Sequence, residues 1–277
     1  MDFAKTLKQT VEEYGLNAKK SLGQNFLLNQ NIPDKIINLS LEKQHLNDFS
    51  AFHVLEIGPG PGGLTRAVLQ HMPKTLTVIE ADERCIAIMN ELKAQTQTPM
   101  NILHQDALQT ELSSLALENL QIVSNLPYHI SVPLLTNWLK QIDFISALTL
   151  MFQQEVAERI TAPIKTKAYG RLSVIAQLVC KIEKLLTLNP QCFTPAPKIY
   201  SSVLLFEPLK DRPSNNLLSK VESLTAKAFA KRRKMIRQSL KDVPNIEAIC
   251  NKLNIPLTAR AEEITPQQYL MIAQNEF

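Results

Sequence analysis

The sequence predicts an α/β protein, a mostly parallel sheet covered on both faces and followed by a small all-helical C-terminal part. Three observations carry this reading. Short apolar runs alternate with helical patterns between Val54 and Phe152, the signature of repeated strand–helix–strand units. The first of these runs, Val54–Ile57, leads into Gly58-Pro59-Gly60-Pro61-Gly62-Gly63, where four of the chain's 7 glycines fall. Beyond Pro208 no strand pattern recurs.

In chain order, residues 1–29 are polar and mildly basic, and a helical pattern follows over Ile32–Leu41. Five strands are expected at Val54–Ile57, Leu76–Ile79, Asn101–His104, Gln121–Ser124 and Leu148–Phe152. Helices are expected between them at Leu64–His71, Asp82–Gln95 and Pro133–Lys140, with Asp82 as an N-cap and Pro133 in a first turn. Glu155–Thr161 and Leu172–Cys180 continue as helices. Leu185–Leu188 and Ser202–Phe206 flank a proline-studded link and are expected to pair as a closing antiparallel edge. Together these runs make a seven-stranded sheet. Pro208–Asn216, rich in Pro, Asp, Ser and Asn, marks the boundary between a catalytic domain over 1–208 and a helical domain over 209–277. The second contains helical patterns at Leu217–Phe229, Lys231–Leu240, Ile246–Leu253 and Pro266–Gln274.

Composition narrows the function. Hydrophobic residues at 45% and charged residues at 20% are ordinary for a globular chain. No apolar run approaches the ~20 residues of a membrane span, and the first residues lack the apolar core of a signal peptide. The 4 cysteines are scattered without metal-ligand spacing, so no metal is expected and the chain reads as a soluble cytoplasmic protein. The net charge of +4 is uneven. From Leu209 onward 12 Lys and Arg face 7 Asp and Glu, whereas the first 208 residues hold 18 against 19. A basic segment appended to a near-neutral body points to an anionic macromolecule as partner.

The glycine turn is the centre of the chemistry. Glycine frees φ and removes the Cβ that would block a ligand from the bare N–H groups at a helix start. Pro59 and Pro61 lack N–H groups that a pyrophosphate needs, and the glycine spacing fits a dinucleotide fingerprint only approximately. Ligands of doubly wound sheets bind at the carboxyl ends of the strands. The second strand ends at Glu80, placed to accept both hydroxyls of a ribose, and the third leads to Asp106, placed to accept from an adenine amino group. The fourth runs into Ser124-Asn125-Leu126-Pro127-Tyr128. An exocyclic amino nitrogen is a poor nucleophile because its lone pair is delocalised into the ring. The Asn125 side-chain oxygen and the Leu126 carbonyl can hold its two hydrogens and turn the lone pair toward a methyl donor. Pro127 orients the preceding carbonyl, and Tyr128 offers a stacking face. No strong base is required, since positioning and electrostatics can carry a methyl transfer.

The motifs jointly resemble one family. Ser21-Leu22-Gly23-Gln24-Asn25-Phe26-Leu27 is followed in order by E-I-G-P-G, Val78–Glu80, Gln105–Ala107, Asn125–Tyr128, Gln153–Arg159, Ala168–Val174, Phe193–Lys198, Arg232–Leu240 and Arg260–Ile264. This string, from about residue 19 to 272, is similar to that of bacterial small-subunit rRNA adenine N6,N6-dimethyltransferases. The resemblance implies a Rossmann-like class I fold that uses S-adenosylmethionine as cofactor, with no metal. It implies two adjacent adenosines in the 3′-terminal hairpin of 16S rRNA as substrate, within the 30S subunit or its precursor, and a monomeric enzyme with a role in small-subunit biogenesis. It implies that Asn25, Leu27, Gly58, Gly60, Glu80, Asp106 and Asn125 hold the cofactor. Asn125, Leu126, Pro127, Tyr128 and Phe193 are implied to hold the target base, and Lys231, Arg232, Arg233, Lys234 and Arg237 to face RNA. Some of these last cations are expected to pair with Glu residues instead. His129 stands where the family has a second Asn, and Tyr200 where it commonly has Asp. The rivals are a 23S rRNA adenine methyltransferase of the macrolide-resistance type, a nucleic-acid-binding relative without catalysis and, more remotely, an NAD-dependent dehydrogenase.

Overall fold

A computed structural model describes residues 3–16, 25–115 and 117–275; Ser21–Gln24 of the N-terminal motif lie outside them. The chain groups into two compact units, one made of the N-terminal residues through Gln154 with Glu183–Glu207, the other of Glu155–Ile182 with the chain from Pro208 onward.

The first unit is built on a seven-stranded sheet. Strands β2 (His53–Ile57), β3 (Thr75–Glu80), β4 (Met100–His104), β5 (Leu120–Asn125) and β6 (Ile145–Gln153) alternate with helices α3 (Gly63–Gln70), α4 (Glu83–Ala94) and α5 (Tyr128–Lys140). Strand order is β4-β3-β2-β5-β6-β9-β7, where β7 is Cys180–Leu188 and β9 is Ser201–Pro208. The pairs β2–β3, β3–β4, β2–β5 and β5–β6 are parallel, and β6–β9 is antiparallel. Every expected strand is present, within three residues of its expected ends except β7, which begins five residues earlier than expected. The central strands read as continuous apolar runs because both faces are buried: Leu55, Leu76, Val78, Ile122 and Val123 have no exposed surface. Asp82 caps α4, its Oδ1 accepting from Arg84 N at 3.2 Å. Pro133, expected in a first turn, sits inside α5 because that helix begins earlier, at Tyr128.

The polar N-terminus holds a helix that the sequence pattern does not announce. Helix α1 (Leu7–Glu13) opens with a Thr6–Gln9 capping box and is held by tertiary bonds rather than by periodicity. Arg66 of α3 donates to the Lys5 carbonyl at 2.6 Å and to Thr10 Oγ1 at 3.0 Å. Glu91 of α4 accepts from Tyr14 Oη at 3.0 Å and pairs with Lys5. Beyond α1, two residues of β1 (Phe26–Leu27) pair antiparallel with β8 (Phe193–Thr194), and helix α2 (Asn31–Lys43) buries Ile36, Ile37 and Leu41.

The second unit changes the expected division of the chain. Its boundary falls between Glu207 and Pro208, close to the expected one, but Glu155–Ile182 leaves the first 208 residues and joins the C-terminal helices. Aromatic packing explains the grouping. Tyr169, just before α7 (Arg171–Val179), lies 6.1 Å between ring centroids from Phe229 of α8 (Asn215–Ala230), and Phe229 lies 6.0 Å from Tyr269 of α11 (Pro266–Asn275). The two tyrosine hydroxyls donate to the Ile264 and Ala261 carbonyls, each at 2.8 Å, so both buried polar tips are satisfied. The continuous helix expected over Lys231–Leu240 is instead a turn followed by a four-residue helix, α9 (Ile236–Ser239). Met235 is extended and bridges Arg260, which interrupts the helical run.

Candidate active site

Sheet order reverses at β2: the chain moves outward through β3 and β4, then crosses to β5 on the other side. At such a switch point the flanking connections leave in opposite directions and open a crevice above the strand ends. The register shows the opening. Direct pairing of β2 with β5 runs only from His53↔Leu120 to Leu55↔Ile122, so the strands part beyond it. Ser124 spans the gap, its Oγ donating to the Ile57 carbonyl at 2.7 Å. Above lies a cavity of about 380 Å³, within the usual range for small-molecule sites.

The glycine turn forms one wall. Gly58, Gly60 and Gly62 have φ of +64°, +56° and +87°, a region where a Cβ is strained. Gly58 donates to the Ile79 carbonyl at 2.9 Å and lies against Pro127, whose Cδ would be 3.6 Å from an added Cβ. Gly60 lies under Phe26, whose ring would be 3.1 Å from an added Cβ. Glu80 closes the neighbouring strand end. Its Oε1 accepts from Ala81 N and Asp82 N, each at 2.8 Å, and its Oε2 faces Gly60 N at 3.4 Å. Burial pushes this carboxyl above its ordinary range, and the three N–H groups oppose that rise. Asp106 is exposed and accepts from Leu108 N at 2.9 Å.

The opposite wall is the end of β5 and the start of α5. Asn125 Nδ2 donates to the Asn25 carbonyl at 3.4 Å, which ties the N-terminal segment to the strand end. Leu126 is buried, and Tyr128 begins α5 with its hydroxyl 2.7 Å from Ser201 Oγ.

Asn25, Leu27, Gly58, Gly60, Glu80, Asp106, Asn125, Leu126, Pro127 and Tyr128 all line this one cavity. Phe193 is not among its lining residues. It is 3% exposed, paired with Leu27 across the β1–β8 ribbon and packed into the core, so it supports the N-terminal segment rather than facing the cavity. Glu56 lines the cavity too and was not singled out by sequence. Its carboxyl is fully buried, accepts from Thr65 Oγ1 at 2.7 Å and is pushed by burial up to about 8. The signal was present as a carboxylate inside an otherwise apolar strand.

Of the basic string in the second unit, Lys231, Arg233, Lys234 and Arg237 are exposed. Arg232 is turned inward. Its Nε bonds Glu262 Oε2 at 2.9 Å, while its terminal nitrogens donate to the Lys167 and Thr166 carbonyls at 2.9 and 3.0 Å. It therefore ties the turn to two other segments of its own unit. Among the described residues no cluster of His, Cys, Asp or Glu could hold a metal, and no helix is long and apolar enough to cross a membrane.

A parallel sheet with one antiparallel strand, opened beside a glycine turn and a strand-end carboxylate, defines the class I S-adenosylmethionine-dependent methyltransferase architecture. The same fold is found in the solved structures of a dimethyladenosine transferase from Plasmodium falciparum, at TM-score 0.71 and 24% identity over 87% of this chain and 94% of that one. It is also found in the 23S rRNA methyltransferase ErmE, at TM-score 0.68 and 23% identity over 90% and 98%. The family described as "Ribosomal RNA adenine dimethylase" matches residues 15–275, and the chain belongs to it. Curated relatives named "Ribosomal RNA small subunit methyltransferase A" are 42% identical in Cereibacter sphaeroides, over 97% of this chain and 96% of that protein, and 40% identical in Gluconobacter oxydans, over 97% and 86%.

Proposed function

We propose that this protein transfers methyl groups from S-adenosylmethionine to N6 of two adjacent adenosines in the 3′-terminal hairpin of 16S rRNA, acting as a cytoplasmic monomer on the 30S subunit or its precursor. The observation that carries the reading is the convergence of Asn125-Leu126-Pro127-Tyr128 with Glu80 and the glycine turn on one cavity. The residues fit the cofactor. The glycines, at positive φ and without a Cβ, admit close approach of a ligand, Glu80 offers a carboxylate for a ribose, and two prolines make the turn unsuited to pyrophosphate. When bound, S-adenosylmethionine supplies an electrophilic methyl on its sulfonium.

The chain's own residues arrange the nucleophile. The bond from Asn125 Nδ2 to Asn25 fixes the amide so that Oδ1 accepts from the adenine amino group. The Leu126 carbonyl is the second acceptor, held by Pro127, whose φ of −54° and ψ of 127° turn the chain from strand into helix. Two acceptors favour a pyramidal nitrogen with its lone pair aimed at the methyl. Tyr128 stacks on the extruded base, a contact of roughly 1–3 kcal/mol. After one transfer a single N–H remains, so one acceptor serves the second. The exposed cations of the C-terminal unit contact phosphates, which position the enzyme without selecting the base.

The test is transfer of labelled methyl to unmethylated 30S subunits, with 23S rRNA in parallel and the product digested to nucleosides. N6,N6-dimethyladenosine confined to the 16S 3′ hairpin is the expected product. Label on 23S rRNA would refute the small-subunit assignment, and cofactor binding without transfer would refute catalysis.

A further inference from the structure

We infer that Ser201 is a positioning residue for the target base: it fixes the plane of Tyr128 and so sets the angle at which the amino group meets the methyl donor. The inference rests on the proposed role of Tyr128 as the stacking face. Ser201 is the first residue of β9 and has no exposed surface. Its Oγ is 2.7 Å from Tyr128 Oη, the usual distance of a well-formed hydroxyl–hydroxyl bond.

Two features make Ser201 an anchor rather than a passive neighbour. Its backbone lies in the antiparallel ladder opposite Gln153, and the carbonyl just before it, on Tyr200, accepts from Gln154 N at 2.9 Å. The hydroxyl thus projects from a backbone held at two successive points against the end of β6. Tyr128, in contrast, is the first residue of a helix, preceded by Pro127, with no side-chain cap. A tyrosine at such a position pivots about χ1 and χ2 unless its far end is held. The hydrogen bond supplies that second point, and with it the ring presents one face to the cavity. A reacting group misplaced by about 1 Å loses on the order of a hundredfold in rate, so a bond that removes a ring tilt acts on turnover more than on substrate capture. Burial pushes the Tyr128 hydroxyl above its ordinary value, while the Ser201 bond opposes that rise. The phenol therefore stays neutral and serves as a tether, not as an acid.

The experiment compares wild type, Ser201→Ala, Ser201→Thr, Tyr128→Phe and the Ser201→Ala/Tyr128→Phe double variant on unmethylated 30S subunits. Turnover and KM are measured separately, with cofactor affinity by calorimetry and thermal midpoint as controls. Expected for Ser201→Ala is a turnover about five- to tenfold lower, the scale of one neutral hydrogen bond, with KM and cofactor affinity within about twofold. Ser201→Thr, which keeps the hydroxyl, recovers most of the rate. Tyr128→Phe matches the loss, and the double variant is no slower than either single one, because both changes remove the same bond. Wild-type turnover in Ser201→Ala, or independent and additive losses, would overturn the inference while leaving the methyltransferase reading intact. So would a fall in thermal midpoint and cofactor affinity that Ser201→Thr fails to restore, since that marks a structural role. A wild-type protein that transfers no methyl to rRNA would overturn the functional reading and this inference with it.

Discussion

Replacing Glu56 by Gln should change how stability depends on pH. Glu56 is 1% exposed in β2, beside the cavity, with Thr65 Oγ1 donating to it at 2.7 Å. Burial, reinforced by the nearby Glu80 carboxyl, raises its carboxyl from 4.5 to about 8, and the Thr65 bond opposes the rise. The folded protein thus keeps this proton at neutral pH, whereas the unfolded chain releases it above about pH 4.3. Because the folded-state value is the raised one, the group's contribution is whole below the unfolded value and is lost as pH climbs toward 8. Between these limits the loss is about 1 kcal/mol per pH unit, or roughly 3–5 kcal/mol across the window. Glutamine stays neutral throughout and keeps an acceptor for Thr65. Wild type should therefore weaken relative to Glu56→Gln as pH rises from about 5 to about 8. Urea unfolding followed by fluorescence of Trp138, the chain's 1 tryptophan, reads this directly. Trp138 is 2% exposed in α5 of the same unit. Stability curves that run parallel across the window would refute the reasoning.

The other predictions concern the cavity and the basic turn. Asn125→Ala removes one of two acceptors and should abolish both methyl transfers; monomethyladenosine formed at the wild-type rate would contradict this. Glu80→Ala removes the carboxylate that faces the glycine turn and should weaken S-adenosylmethionine binding by about tenfold or more, which calorimetry measures; unchanged affinity would rule out its role toward the ribose. Arg232→Ala loses an ion pair and two carbonyl bonds and should lower the thermal midpoint by a few degrees. Arg233→Ala with Lys234→Ala should leave the midpoint unchanged but weaken RNA binding and flatten its salt dependence. The reverse pattern would exchange the roles assigned to these cations.

Much of the site was legible because it is written in local chemistry. A glycine cluster, carboxylates one or two residues past strand runs, and Asn-Leu-Pro-Tyr after the fourth run each depend on a strand end, and in a doubly wound sheet strand ends converge. Burial of both sheet faces made the strands apolar, so their positions could be read without a partner in view. Where the reading failed, tertiary contacts had overridden local pattern. Phe193 sits in a two-residue ribbon whose partner is more than 160 residues away in sequence. That some of the basic string pairs with Glu was legible and holds for Arg232, but its partner Glu262 and the carbonyls of Thr166 and Lys167 were set only by the fold. Glu155–Ile182 has the helical character of its neighbours, and only long-range contacts, among them the stack of Tyr169, Phe229 and Tyr269 and the bonds of Arg232 to Thr166 and Lys167, assign it to the C-terminal unit.

By itself, then, the sequence determined the α/β class, the order and approximate bounds of the strands, and ten of the residues that line the cavity. These follow from periodicity, backbone freedom and side-chain chemistry within short windows. The tertiary structure alone decided which polar groups are tied to one another: Tyr128 to Ser201, Asn125 to Asn25, Ser124 to Ile57 and Arg232 to Glu262. Such bonds join residues distant in the chain, and neither partner's identity specifies the other until folding brings both to within about 3 Å.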